Sequence, residues 1–230
     1  MKSILILTFS VLSATVACSQ QVSDLPANSF PFNLSGNTIQ TFDNRYEGVR
    51  GHYTFFEDFS PGVVELKNKE VYQNVLINYD AVSDNLIAKS ERTSSNMVVR
   101  KDLVQKFVLR DGSREFRFVK QSVNGLATFL LELVEGETAF YCKVSKSIRR
   151  AELGGAYNTS ESRYDEFKSS LIYYIKDLKG FREIPQTKKG IIRSFPSLEN
   201  KLSTFFKKNK VDFNDYYEVQ FLFEYIAENL

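Results

Sequence analysis

The sequence has few of the residues from which most catalytic and metal sites are built. Its 230 residues include a single histidine, His52, and only two cysteines. A lone histidine argues against a zinc site made of several imidazoles and is a weak start for a triad of nucleophile, base and acid. Gly154-Gly155 lacks the further glycines and the lysine of a phosphate-binding loop. We therefore predict no catalytic residue, no metal and no cofactor, and expect that the protein is not an enzyme.

The two cysteines do not predict a disulfide. Cys18 ends an N-terminal apolar segment, where we expect it to be cleaved off or lipidated, so Cys142 has no partner. A chain of this length buries enough surface to fold without a cross-link. A nucleophilic pair of Cys142 with His52 is conceivable, because a thiol nucleophile needs a nearby base. A buried cysteine that acts as a small apolar residue is the simpler interpretation.

Long apolar runs are scarce, and the one that stands out is N-terminal. A basic start, Met1-Lys2, precedes an apolar stretch over residues 4–12 and small residues over 13–19. This order is typical of a secretory signal, and the stretch is shorter than the about 20 residues of a membrane span. We expect residues 1–19 to be a signal peptide, with a membrane anchor or a buried strand as the alternatives. Residues 20–45 follow as an extended leader, and the protein is then exported to the periplasm, the outer membrane or the medium.

The end of this signal can be interpreted in two ways. Ala17-Cys18-Ser19 fits cleavage before Gln20, which would release a free protein. Alternatively, Thr15-Val16-Ala17-Cys18 resembles a bacterial lipobox, although Thr15 and Val16 depart from the usual Leu-Ala-Gly-Cys. Lipid on Cys18 would then be the protein's one link to a membrane, since each buried CH₂ contributes about 0.8 kcal/mol.

Neither sign of charge dominates. The chain has 30 basic and 28 acidic residues, a net charge of +2, which disfavours nucleic acid as a partner. One basic cluster, Lys143, Lys146, Arg149 and Arg150, is a candidate patch for lipid head groups or an acidic envelope protein. The solvated face of a sheet is its alternative interpretation.

Asp80, Asp84 and Asn85 form a polar cluster that could attract calcium. The glycine and the final glutamate of a calcium-binding loop are missing from their surroundings. A turn stabilised by hydrogen bonds from side chains to the backbone explains this cluster better.

Tryptophan is absent, but 20 phenylalanines and 12 tyrosines favour pleated, half-buried surfaces. Between residues 46 and 185, β-type runs alternate with turn signals such as Asp111-Gly112, Asn124-Gly125 and Glu135-Gly136-Glu137. No helical pattern intervenes, which disfavours a parallel sheet. The sequence therefore predicts a mainly β protein of the α+β class. Residues 46–185 form an antiparallel sheet, a sandwich or a partly open barrel.

Local patterns in this region predict individual elements. We expect a first strand over residues 51–56 and a turn at Ser60-Pro61-Gly62. A polar surface loop is expected over 151–169, followed by a last hairpin over 171–175 and 181–184.

After Pro185 the apolar period changes from two to 3.6, which predicts a helical segment over 186–230 that packs on the sheet or on itself. The apolar faces of its two main helices are Leu198, Leu202, Phe205 and Phe206, then Val219, Leu222, Phe223 and Ile226. Ser197 is the expected N-cap of the first and Asp212 or Asn214 that of the second. A short helix over 187–194 precedes them.

Residues 59–80 and 195–225, the latter with Lys208-Asn209-Lys210, resemble a group of small exported bacterial proteins. These have a hairpin-rich front and a helical tail. The motifs that carry the resemblance are structural, so it implies export and this order of elements but no activity and no functional residue.

Three functions follow as hypotheses. The first is a non-catalytic cell-envelope protein that binds a partner or packs against other envelope components. The second is a carrier of a small apolar ligand or lipid in a barrel-like cavity. The third is a hydrolase with two carboxylates that converge in a cleft. The presence and lining of a cavity separate them.

Overall fold

The computed structural model describes residues 46–89, 96–151, 164–178 and 180–230. The expected signal peptide over residues 1–19, which includes Cys18, the expected leader over 20–45 and Gly154-Gly155 lie outside the described residues. No helix in the described ranges is both long and apolar enough to cross a bilayer.

Ten strands of the described residues form one open antiparallel sheet, in the order β10-β9-β8-β7-β6-β5-β1-β2-β3-β4. The strands are β1 (Ser60–Leu66), β2 (Val71–Asp80), β3 (Asn85–Lys89), β4 (Asn96–Val98), β5 (Val104–Asp111), β6 (Arg114–Val123), β7 (Leu126–Val134), β8 (Ala139–Arg149), β9 (Glu166–Asp177) and β10 (Gly180–Ile184). The mainly β, α+β class is thereby confirmed, and a single sheet is the arrangement among those expected. Because β1 lies between β2 and β5, the chain crosses to the other side of β1 after β4.

The segment expected as a first strand is irregular. Residues 51–56 make an isolated bridge between Thr54 and Asp80, and Arg50 makes another with Glu166. Side chains bind carbonyl groups of this segment in place of a neighbouring strand: Lys146 donates to those of His52 and Thr54, and the Asn78 amide donates to that of Phe56 at 2.9 Å.

Ser60-Pro61-Gly62 belongs to β1 and is not a turn. Here the chain needs glycine for its size, because a Cβ on Gly62 would lie 2.4 Å from the Val108 carbonyl oxygen. The end of the expected loop over 151–169 is also strand, since β9 begins at Glu166 and pairs with Arg149. Residues 152–163 of that loop lie outside the described part.

The sheet is curved strongly enough for the β2–β3 turn to reach β7 and β8. Within the described residues, β7 and β8 pair from Leu131–Cys142 to Val134–Phe140 and separate beyond that point. The turn occupies the opening, where the Ala81 carbonyl accepts the Lys146 N–H at 2.9 Å. Since β1, β5 and β6 lie between β2 and β7, this contact closes the curved sheet partly onto itself.

Aromatic rings fill the concave side of the sheet. Phe107 stacks on Phe118 with centroids 4.9 Å apart, and Tyr79 lies 4.8 Å from Phe118. Phe129 approaches Phe107 edge-on at 5.0 Å. All four side chains are almost fully buried, so they form the centre of the core.

Three α-helices follow the sheet: α1 (Lys188–Ser194), α2 (Glu199–Lys208) and α3 (Tyr216–Asn229), with a 3-10 turn at Pro196–Leu198 between the first two. The residues of both predicted apolar faces are buried. Phe223 of α3 stacks on Phe140 of β8 with centroids 4.5 Å apart, which docks the helix on the sheet.

The predicted N-caps are wrong. Ser197 lies inside the 3-10 turn, and α2 begins after it without a side-chain cap. Asp215 caps α3 by accepting the Tyr217 N–H at 2.8 Å. Asp212 instead stabilises the preceding turn, where it accepts the Asn214 N–H at 2.9 Å. Each aspartate thus stabilises the backbone two residues downstream.

Candidate binding cleft

A cleft of about 480 Å³ lies where the irregular N-terminal segment meets β8, β9 and the start of α3. It is lined by Gly51, His52, Phe55, Phe56, Val144, Lys146, Phe167, Ser169, Leu171, Asn214 and Tyr216. The lining combines aromatic and aliphatic surface with a few polar groups, as small-molecule sites do.

Lys146 fixes one wall of the cleft. Its ammonium group donates to the carbonyls of His52 at 2.8 Å and Thr54 at 2.7 Å. The same segment is tied to the β2–β3 region through the Phe55 N–H and the Tyr79 carbonyl at 2.8 Å. These bonds explain why a segment without regular secondary structure presents a defined surface.

Lys146 is a half-buried cation, and this burial lowers the pKa of its amine to about 8. No carboxylate of the described residues lies within ion-pair distance of it. Around neutral pH the amine is mostly protonated, so it gives this end of the cleft a positive charge that the described residues do not neutralise.

His52 contributes a polar but mainly neutral surface. Burial, and then the positive charge of Lys146, lower the pKa of its imidazole below the usual 6.5, outweighing the opposite effect of Glu57. The imidazole is therefore uncharged at neutral pH, and Lys146 carries the charge of the cleft.

The aromatic wall is anchored in the core. Phe55 meets the rings of Phe116 and Phe118 edge-on, each with centroids 5.2 Å apart. Phe56 packs beside Phe55 at 4.9 Å, and Tyr216 closes the same group at 6.1 Å from Phe55. Since these rings are held from behind, the apolar part of the cleft is largely pre-formed.

The structure divides the four basic residues expected as an anionic-partner patch. Lys143 donates to the Thr128 hydroxyl at 2.6 Å and lies 3.4 Å from the Asp84 carboxylate. Arg149 pairs with Glu166 at 2.6 Å and Arg150 with Asp165 at 2.5 Å. Of the four, Lys146 alone is among the residues that line this cleft.

The sequence contains a signal that distinguishes Lys146 from the other three basic residues of the cluster. Phe140, Cys142 and Val144 are buried in the main core, and Lys146 continues their period-two series. A charged lysine in a series of otherwise apolar, inward-facing positions is unusual, and this distinguishes Lys146 from the other basic residues of the cluster. Phe55 and Phe56, by contrast, gave no local sign of lining a site.

The remaining sequence candidates have structural roles. Cys142 is fully buried, which raises the pKa of its thiol, and it is not among the residues that line the cleft with His52. Asp80 accepts the N–H groups of Val82 and Ser83, both at 2.9 Å, which is the turn arrangement expected as the alternative to calcium. Among the described residues, no group of three potential metal ligands occurs.

A second cleft, of about 350 Å³, contains two carboxylates, Glu115 and Glu132. Glu115 pairs with Arg110 at 2.9 Å, and Glu132 lies 3.4 Å from Arg117. Such pairing is typical of structural ion pairs on a sheet.

Comparisons with protein-family models, with curated proteins and with solved structures give no significant match.

Proposed function

We propose that this is an exported, non-catalytic binding protein and that it holds a small amphipathic ligand in the cleft at Lys146. The observation that carries the proposal is the composition of the lining. Rings anchored in the core form one part, a half-buried ammonium forms another, and none of the lining residues is a carboxylate. This combination suits a ligand with an apolar body and a polar or negative end.

The cleft replaces the barrel interior as the place for a ligand. The concave side of the sheet is occupied by Tyr79, Phe107, Phe118 and Phe129, whose neighbouring centroids lie about 5 Å apart. Rings at this spacing are in direct contact. A carrier function is therefore proposed for the cleft beside the core.

Binding without chemistry is the simplest role for this set of side chains. The ammonium of Lys146 is hydrogen-bonded to backbone carbonyls, the imidazole of His52 is uncharged, and Cys142 is fully buried in the core. The export part of the proposal depends on residues 1–19, and a lipid on Cys18 would place the cleft at a membrane surface.

The test uses an obstructing substitution and a matched control on the same strand. Ser169 and Ser170 are adjacent exposed residues of β9, but only Ser169 is among the residues that line the cleft. Ser169→Trp would place an indole in the cleft, whereas Ser170→Trp adds the same ring to the other face.

Small molecules that copurify with the exported protein are extracted and identified by mass spectrometry for all three proteins. We expect a ligand with wild type and Ser170→Trp and at least a tenfold loss with Ser169→Trp. Equal recovery from both variants would show that the ligand does not occupy this cleft.

A further inference from the structure

We infer that the cleft selects a monocarboxylate with an apolar body, whose carboxylate binds the ammonium group of Lys146. This inference names the ligand class of the cleft and therefore depends on the proposed function.

The geometry of Lys146 leaves a donor for such a ligand. An ammonium group has three N–H donors, and the carbonyls of His52 and Thr54 take two of them. Because Lys146 also lines the cleft, an acceptor that enters the cleft can receive the third. The two carbonyls hold the nitrogen in place, so little side-chain entropy remains to be lost when the ligand binds.

The charges around the cleft favour one negative group. The N-terminal segment contributes the uncharged His52. The charge of Glu57 acts to raise the pKa of His52, but Glu57 does not line the cleft. β9 contributes Phe167, Ser169 and Leu171, and the segment that leads into α3 contributes Asn214 and Tyr216. Lys146 of β8 is therefore the one cation among the lining residues. A single negative charge on the ligand matches it, and a positive end would be repelled.

The walls specify the rest of the ligand. Phe55, Phe56 and Phe167 offer ring surfaces, and Val144 and Leu171 add aliphatic surface beside them. Burial of an alkyl chain contributes about 0.8 kcal/mol for each CH₂, which corresponds to about a fourfold gain in affinity per methylene. A medium-chain fatty acid combines this body with the required single negative charge.

Protonation of Lys146 should then control the affinity. In the protein without ligand, the amine of Lys146 has a pKa of about 8, and only its protonated form attracts a carboxylate. By this linkage the affinity changes little between pH 6 and pH 7 and falls by up to about tenfold between pH 7 and pH 9. The carboxylate of a fatty acid stays ionised over this range.

The experiment measures the affinity of the exported protein for decanoate, decanol and decylammonium by calorimetry at pH 7 and pH 9. These probes share one chain and differ in the charge of the head group. We expect decanoate to bind at least tenfold more tightly than decanol at pH 7 and to lose about tenfold at pH 9. Decylammonium should bind most weakly.

Lys120 provides a matched control for Lys146. Its ammonium also donates to a backbone carbonyl, that of Lys101 at 2.8 Å, and burial together with the charges of Lys67 and Lys101 lowers its pKa to about 8. Lys120 is not among the residues that line the cleft. Lys146→Met should abolish the preference for decanoate and its pH dependence, Lys146→Arg should keep the preference, and Lys120→Met should change neither.

The outcomes separate this inference from the proposed function. Equal binding of decanoate and decanol, with both lost in Ser169→Trp, would leave the cleft as a binding site and overturn the carboxylate assignment. If Ser169→Trp binds all three probes as tightly as wild type does, both the carboxylate assignment and the proposed function are overturned. If Lys146→Met does not fold, the wild-type preference between decanoate and decanol and its pH dependence still decide the inference.

Discussion

Replacement of Asp84 by asparagine should destabilise the protein strongly, because this one carboxylate holds the β2–β3 turn in the opening between β7 and β8. Its Oδ1 accepts the Tyr79 hydroxyl at 2.9 Å and the Phe129 N–H at 3.1 Å. Its Oδ2 accepts the Thr128 hydroxyl at 2.6 Å and pairs with Lys101 at 2.7 Å. The side chain is 17% exposed.

The magnitude follows from what the substitution leaves behind. An isosteric amide keeps one acceptor, places N–H donors beside the donors already present and removes the counter-charge of two half-buried lysines. Removal of one partner of a buried pair costs about 3–5 kcal/mol, and a lost hydrogen bond to a charged group about 1.5–3 kcal/mol. Because both lysines retain some exposure, we expect a loss of about 2–4 kcal/mol in the free energy of unfolding.

Chemical denaturation followed by circular dichroism measures this loss. Asp102→Asn is the matched control, since Asp102 pairs with Arg100 at the same 2.7 Å but its side chain is 60% exposed. We expect no measurable change from Asp102→Asn. Equal unfolding midpoints for Asp84→Asn and wild type would refute the role of Asp84 as the anchor of the turn.

The contribution of Asp84 to the free energy of unfolding should also depend on pH. Burial acts to raise the pKa of Asp84, but hydrogen bonds from Lys101 and Thr128 and the charges of Lys101 and Lys143 outweigh it and lower the pKa. A lowered folded-state pKa adds stability that is present above the unfolded-state value of about 3.9 and is lost as the pH falls through the folded-state pKa. Asp84→Asn should therefore flatten the acid side of the stability profile.

Two further substitutions test the local structure, both by the free energy of unfolding in urea. Gly62→Ala would place a methyl group 2.4 Å from the Val108 carbonyl oxygen and 2.6 Å from the Ile77 side chain, and we expect a loss of about 1–3 kcal/mol. An unchanged midpoint would show that β1 and β5 can move apart. Asp215→Ala should cost about 1 kcal/mol as the loss of an N-cap, and Asn214→Ala, the neighbouring candidate, should cost less.

Local sequence predicted those elements whose hydrogen bonds close locally. Asn124 and Gly125 have φ values of +51° and +79°, the left-handed conformation that the Asn-Gly dipeptide favours in a two-residue hairpin turn. The apolar stripes of α2 and α3 were likewise visible, because each helix buries a single face. In both cases the pattern that predicts the element lies within a few residues.

The wrong predictions have the opposite origin. Residues 51–56 alternate like a strand, but the side chains that bind their backbone are Asn78 and Lys146, which are 22 and 92 or more residues away. The placement of β1 between β2 and β5 is equally non-local. No pattern within these segments records such partners, so the N-terminal wall of the cleft could not be predicted from the sequence.

The candidate site was partly within reach. On a strand, the spacing of Lys143, Lys146, Arg149 and Arg150 divides them between two faces, with Lys143 and Arg149 on one and Lys146 and Arg150 on the other. Period two alone therefore argues against a single basic patch. The aromatic part of the cleft depends on the fold, because Phe55, Phe167 and Tyr216 meet only when the N-terminal segment, β9 and α3 come together.

Three side chains that hold backbone carbonyls show why the charge at Lys146 matters. Asn78 holds the carbonyls of Phe56 and Asp58 with a neutral amide, so an anchor of this kind does not require a cation. Lys120 holds a carbonyl with an ammonium but does not line the cleft, so a desolvated lysine alone does not make a site. At Lys146 the anchored ammonium, the absence of carboxylates among the lining residues and the aromatic wall coincide. Burial of the Lys146 ammonium disfavours its charged form, and a carboxylate bound in the cleft would offset this cost. Neither Asn78, which is neutral, nor Lys120, which lies outside the cleft, could bind a carboxylate there in this way.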